Sequence, residues 1–271
     1  MQTCDNLNIN DVYINSAELN KAAVGTFIPI RSRNRLQIII QTPKIFAPFG
    51  ASSFRKAETL ADGKIPKYDV QLSLDPSDKK LAKLSDFLCQ LDTLVCRSVA
   101  QNNELLQLLN VKTINKKTGK SKSIEEIQED LENNRYNSIV KIKDPKYPPL
   151  FKLSISRDAK THTIELYCQN GKETVQLDDD NIDNIFHKSI QCKCVFVISH
   201  IWIVSNRFGV TLKLKRCKLF PQNPDTYAFV SSSDDDNNDH NTSNNKKKKN
   251  QDEEREEELC CNSSSCCSRY A

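Results

Sequence analysis

Two periods of hydrophobic spacing divide the first part of the chain. Leu36–Gln41 is a short apolar run, bracketed by RSRNR (Arg31 to Arg35) and TPKIFAPFG (Thr42 to Gly50), and it reads as a strand. Tyr68–Leu74 alternates apolar and polar residues and predicts a second strand. From Asp75 the period becomes helical. Asp75-Pro76 offers a cap and a first-turn proline, and Leu81, Leu84, Leu88, Leu91, Leu94 and Val95 follow at steps of three and four. Leu105, Leu106, Leu108 and Leu109 extend or restart that helix, whose apolar face must cover a sheet.

Further on, NKKTGKSKS (Asn115 to Ser123) reads as a loop. Ile124–Asn134 reads as a short charged helix, with Ser123 as its cap and Glu126 three residues on. Tyr147-Pro148-Pro149 forces an extended approach to a series of strands. These are Leu150–Ser156, Thr163–Cys168, Cys194–Val204 and, after a turn placed at Asn206–Gly209, a last strand ending at Phe220. No period of a solenoid or propeller recurs. The pattern predicts a mainly β body with one substantial helix.

Composition changes at Ser231. The tail from there to Ala271 is nearly all Ser, Asp, Asn, Lys and Glu up to Glu258, a composition expected to be disordered. It holds ten acidic against six basic side chains, so the body carries 33 basic against 25 acidic ones. A basic body joined to an acidic tail suits a protein that binds a polyanion and competes with itself for the binding surface. No apolar run is long enough for a transmembrane helix, and MQTCDNLNIND lacks the pattern of a signal peptide. The expectation is therefore an intracellular protein, with no membrane partner and most of its eleven cysteines reduced.

Candidate binding residues fall in three patches. In the last strand Lys213 and Lys215 alternate with Leu212 and Leu214, and Arg216 and Lys218 follow, which would give an outward positive stripe. Trp202 and Phe208 flank the turn bearing Arg207. Trp202, in an apolar strand, is expected in the core and Phe208 outside, where it would stack on bases. Near the N-terminus Arg31, Arg33, Arg35 and Lys44 accompany Phe46 and Phe49, with Phe54, Arg55 and Lys56 beyond, an interleaving of charge and rings that fits an unstacked strand better than a duplex. Lys152 with Tyr147 forms the third patch. The plainer alternative for each is a solvated strand face or a loop anchor.

Catalytic patterns are absent from the sequence. His162, His187, His200 and His240 stand far apart, with no metalloprotease, phosphate-loop or nucleophile-elbow motif around them. Asp178–Asp183 reads as a solvated turn before it reads as a cation site. Cys192-x-Cys194 has the local spacing of a metal ligand pair but no second close pair in the body, while Cys260-Cys261 and Cys266-Cys267 lie in the tail. No enzyme activity, cofactor or metal is expected.

The order of PKIFAPFGASSF (Pro43 to Phe54), YDVQLSLD (Tyr68 to Asp75), FLCQLDTLV (Phe87 to Val95), YPPLFKLSI (Tyr147 to Ile155) and IWIVSNRFGVTLKLKRCKL (Ile201 to Leu219) resembles the phage T7-type single-stranded DNA-binding proteins, in the branch found in nucleocytoplasmic large DNA viruses. The resemblance implies an OB-fold barrel over residues 25–230, elaborated by a helix from Pro76 to about Leu109. Residues 1–24 would be an N-terminal extension and 231–271 the disordered polar and acidic tail. It also implies a protein that coats single-stranded DNA in viral replication, recombination and repair. The PKIFAPFG loop and the NRFGVTLKLK hairpin would line its groove.

Asp252, Glu253, Glu254, Glu256, Glu257 and Glu258 would dock a DNA polymerase, helicase or primase and compete with DNA. A homodimer is a further expectation, as is a site of action in the host cytoplasm at a viral replication site, in the host nucleus or in the virion. This chain departs from the family in adding Lys246–Lys249 and in ending Ser268-Arg269-Tyr270-Ala271. A scaffold protein of a viral replication site and an RNA-binding protein are the alternative functions.

Overall fold

A strand pairs into a ring only when both of its edges find partners, and the computed structural model shows such a closure. It describes residues 1–15, 20–22, 25–53, 67–115 and 119–220. In chain order the strands of the N-terminal part are β1 (Gln2–Thr3), β2 (Val12–Ile14), β3 (Asn20–Ala22), β4 (Gly25–Ser32), β5 (Ile38–Gln41), β6 (Ile45–Ala47), β7 (Ala51–Ser53) and β8 (Tyr68–Ser73). Helices α1 (Lys79–Ala100), α2 (Asn103–Leu108) and α3 (Ile124–Asn134) follow, then the short strands β9 (Tyr136–Asn137) and β10 (Val140–Lys141). The C-terminal part contains β11 (Leu150–Ile155), β12 (Tyr167–Asn170), β13 (Glu173–Gln176), helix α4 (Ile182–Ile185), and the long hairpin of β14 (Ile190–Val204) and β15 (Arg207–Phe220).

Five of these positions close a barrel. β6 pairs antiparallel with β8, β8 with β11, and β14 with both β15 and β6, while β11 and β15 run parallel. One parallel pair among antiparallel ones, with the last two strands exchanged in spatial order, is the topology of an OB fold. The first barrel strand is split into β5 and β6 around Pro43, which cannot donate to a ladder. Thr42 bridges the gap: its amide donates to the Cys194 carbonyl and its hydroxyl accepts from the Cys194 amide, both at 2.9 Å.

The helical insertion sits between the second and third barrel strands. Its cap is Asp78, whose carboxylate accepts from the Lys80 and Leu81 amides, and not Asp75, which instead closes a turn to Ser77. Leu81, Leu84, Phe87, Leu88, Leu91, Val95 and Val99 are buried along one face of α1. The helix stops at Gln101, and Asn102 caps a separate short one, so the expected continuous helix to Leu109 is interrupted. α3 begins with the capping box read from Ser123 and Glu126.

Within residues 1–24, expected as an extension, several described residues pair with later strands. Among those described, β1 pairs with β5, β2 and β3 pair with β4, and Cys4 is buried. β4, which contains Pro29 and was not anticipated as a strand, pairs with β14 beside β5. The strand expected over Thr163–Cys168 reduces to a bridge at Ile164 and a strand that starts at Tyr167. Phe54, Arg55, Lys56 and the whole tail, including the six acidic residues from Asp252 to Glu258, lie outside the described residues.

Candidate nucleic-acid interface

Register decides which lysines share a face. On β15, Lys213 stands opposite Val197 of β14 and beside Ser154 of β11, on the outer surface of the barrel. Pairing then shifts between Val195 and Phe196, leaving Lys215 as an extra residue on β15. The bulge turns Arg216 outward, opposite Val195, and Lys218 outward, opposite Lys193. On the other side of β15, Tyr167 and Gln169 of β12 flank the same two residues. Arg216, Lys218, Lys193, Tyr167 and Gln169 line, with Gln41, a groove of about 640 Å³. Alternation predicts a stripe of Lys213 and Lys215; the bulge instead gives an outward row of Lys213, Arg216 and Lys218, and Lys193 extends it across the hairpin.

Exposed rings border this groove. Phe220, Gln191 and Phe46 occupy one row across β15, β14 and β6. The Lys44 and Lys218 ammonium groups lie 5.0 and 5.7 Å from the centre of the Phe220 ring. Phe46 and Tyr167 are 38% and 51% exposed, a degree of exposure that rings anchored in a core do not show.

The third patch joins the same outer surface through β11. Lys152 projects two residues before Ser154, which is paired with Lys213, and it forms an ion pair with Asp69 at 3.5 Å. Lys141 lies beside this strand, and its ammonium is held below the usual lysine range by burial and by the neighbouring Lys152 and Lys143. Lys143 stands 5.6 Å from the Phe49 ring, and Tyr147 is among the most exposed large side chains. Three lysines brought this close together make a place where an anion is favoured. Lys141 and Lys143, two residues apart in KIKDPK, and Lys193, between two cysteines, were not anticipated, because only strand pairing brings them to the other lysines.

Two expectations at the hairpin are reversed. Phe208 is fully buried, its ring 4.9 Å from that of Tyr136, and it cannot stack on a base. Trp202 is half-buried on the outer face, opposite Phe27 of β4 and Gly209 of β15. The cause is the turn. It consists of Ser205 and Asn206, with Ser205 at a φ of 57°, and not of Asn206–Gly209, so Phe208 falls inside the strand and on its inward face. Gly209 is required there, since a Cβ would lie 2.8 Å from the Trp202 ring. Arg207 remains exposed beside the turn.

The arginines of the N-terminal patch stand apart. Arg31, near the end of β4, and Arg33 and Arg35, in the turn between β4 and β5, are exposed, and Arg35 adopts a φ of 61°. Arg33 donates to the Asn10 carbonyl at 2.6 Å and lines a separate cavity with Asp11. The groove of Arg216 and Lys218 includes none of the three.

The acidic turn, His200 and the cysteine pair each have defined neighbours. Asp178 accepts from the Asp180 and Asn181 amides, and Asp179 pairs with Arg157 and accepts from the Tyr68 hydroxyl. His200 sits against Phe27, its imidazole held below the usual range by burial and by Lys213. The Cys192–Cys194 pair is not alone, because β15 brings Cys217 to it and β12 brings Cys168 opposite Cys217.

No family profile matches the sequence, and no curated protein does. Solved structures do. The single-stranded DNA-binding protein of bacteriophage Enc34, in complex with single-stranded DNA, is 12% identical with a TM-score of 0.38 over 76% of this chain and 95% of that one. The gp2.5 single-stranded DNA-binding protein of bacteriophage T7 is 13% identical with a TM-score of 0.39 over 73% of this chain and 97% of that one. The barrel topology described above rests on its own strand pairings.

Proposed function

We propose that the chain binds single-stranded DNA without strong sequence preference and without a catalytic step, coating DNA during viral replication, recombination and repair. The observation that supports this reading is the outer barrel surface on which Lys152, Lys213, Arg216, Lys218 and Lys193 follow one another across β11, β15 and β14, with Lys44 beside Phe220 and the exposed rings of Phe46, Tyr167 and Phe49 nearby. Lysine and arginine neutralise phosphates, and rings offer stacking surfaces that any base fits. A duplex gains nothing from the rings, since its bases are already stacked.

In this reading the acidic tail residues Asp252–Glu258 occupy the surface when DNA is absent and dock replication proteins such as a polymerase, helicase or primase when DNA is bound. The test is fluorescence anisotropy with labelled oligo-dT, a duplex of equal length and the matching RNA, each at two salt concentrations. Preference for the DNA single strand, weakening as salt rises, supports the proposal. Equal affinity for duplex, or affinity independent of salt, rejects it, and a preference for RNA would reassign the ligand.

A further inference from the structure

Four cysteines from distant parts of the sequence meet where the barrel hairpin joins β12. Cys192 and Cys194 lie on β14, Cys217 is opposite Cys194 on β15, and Cys168 is opposite Cys217 on β12. All four are buried. The Cys192 and Cys194 sulfurs are 3.6 Å apart, those of Cys194 and Cys217 are 3.7 Å apart, and the three lie within 4.8 Å of one another.

The first distance is the informative one. Side chains two residues apart on a strand stand on the same face with their origins about 6.6 Å apart, at a rise of about 3.3 Å per residue. For their sulfurs to reach 3.6 Å, both thiols must turn toward a common point. The shift in pairing between Val195 and Phe196, one residue beyond Cys194, is a local distortion of the kind that re-aims side chains. In a tetrahedral thiolate site with metal–sulfur bonds of about 2.3 Å, neighbouring sulfurs are about 3.8 Å apart. The observed spacing is close to that value and far from the roughly 2.05 Å of a disulfide.

We propose that Cys192, Cys194 and Cys217, with Cys168 as the fourth ligand, bind a zinc ion that fastens β12, β14 and β15 together. The donor set selects a soft cation, because thiolates without hard oxygen ligands suit zinc over magnesium or calcium. Binding exchanges thiol protons for the metal. Reduced cysteines also serve as small apolar core residues, but that role gives the i and i+2 sulfurs no reason to converge.

The site is independent of the DNA-binding reading and is tested without DNA. The full chain carries four further cysteines in its tail, so the protein for the experiment has Cys260, Cys261, Cys266 and Cys267 replaced by Ser, and is purified with reductant and without chelator. Elemental analysis should find about one zinc per chain, and refolding in cobalt(II) should produce thiolate-to-metal charge-transfer absorption with tetrahedral ligand-field bands. Cys192→Ser should shorten zinc retention against a chelator by more than about tenfold. Should that variant fail to fold, the metal content and cobalt spectrum of the unaltered core still decide. Zinc below a tenth of an atom per chain with no cobalt–thiolate absorption would overturn the proposal, and so would an intact mass lower by two hydrogens, which marks a disulfide.

Discussion

The Tyr136 hydroxyl donates to the Asp92 carboxylate across 2.5 Å, joining the middle of α1 to the strand that follows α3. The same carboxylate accepts from the Ile139 amide at 3.0 Å, and the Tyr136 ring packs on Phe208 inside the barrel. One acidic side chain thus ties the helical insertion to the hairpin that carries the basic face. Asp92→Ala leaves two buried donors unsatisfied and should cost about 3 kcal/mol in urea unfolding, whereas Tyr136→Phe should cost about 1 kcal/mol. Equal stability of Asp92→Ala and wild type would show that the helix is held by its apolar face alone.

The same residue gives a pH dependence of definite sign. Burial raises the Asp92 carboxyl above its ordinary range, partly offset by the Tyr136 hydroxyl and the Ile139 and Val140 amides. A raised value means that the folded protein favours the protonated acid. The contribution is fully present below the ordinary carboxylate range and is lost as pH rises through the raised folded value. Asp92→Asn keeps an acceptor and cannot ionise. Relative to that variant, wild type should lose stability across this interval and run parallel to it at higher pH, as read from unfolding midpoints at a series of pH values.

Exchange of roles between Trp202 and Phe208 separates stability from binding. Phe208→Ala removes a fully buried ring and should cost about 3–5 kcal/mol of stability. Trp202→Ala should weaken oligo-dT binding by about 1–3 kcal/mol, the usual range for a stacking ring, with a smaller effect on unfolding. Gly209→Ala places a methyl against the Trp202 ring and should mimic Trp202→Ala in binding while the protein stays folded. Trp202 fluorescence quenched by oligo-dT would report the contact directly.

These two residues also show what could be read from the chain. Period-two alternation located Tyr68–Ser73 and Leu150–Ile155, because each has one face in the core and one in water. It gave the outward phase of Lys213, but beyond Lys215, the extra residue of a bulge that spacing does not reveal, strict alternation would turn Arg216 and Lys218 inward. Phase fails wherever a turn is misplaced by a residue: Gly209 drew the turn toward itself, yet its lack of a side chain serves the Trp202 ring and not the chain reversal. β4 escaped notice because Pro29 interrupts its apolar run, and a strand inside a large sheet is not expected to hold proline. The cysteine cluster showed only half a signature, the Cys192-x-Cys194 pair, since its third and fourth members are supplied by strand pairing across gaps in sequence.

Differences among the basic residues test where the interface lies. Each phosphate contact on a single strand contributes about 0.7 to the slope of log affinity against log salt, so Arg216→Ala with Lys218→Ala should lower that slope by about 1.4. Affinity should fall alike for oligo-dT and mixed sequences, because the contacts read no base edge. Arg33→Ala should leave affinity within about twofold, since its guanidinium is engaged with the Asn10 carbonyl in a separate cavity. The reverse order of effects would move the interface to the turn between β4 and β5.

The tail provides the last discrimination, between a basic surface that is open and one that is contested. Residues 231–271 carry a net charge of −4 beside a body of +8, but Lys246–Lys249 can pair with the acidic run that follows them. If the acidic run competes for the Arg216 and Lys218 face, deleting residues 231–271 should tighten oligo-dT binding several-fold at low salt, and the gain should vanish as salt screens both interactions. Replacing Lys246–Lys249 by Ser should make the intact tail a stronger competitor and weaken binding below wild type. Unchanged affinity in the deletion would leave the tail no role in DNA binding, and a deletion that weakens binding would mean that the lysine run itself holds the strand.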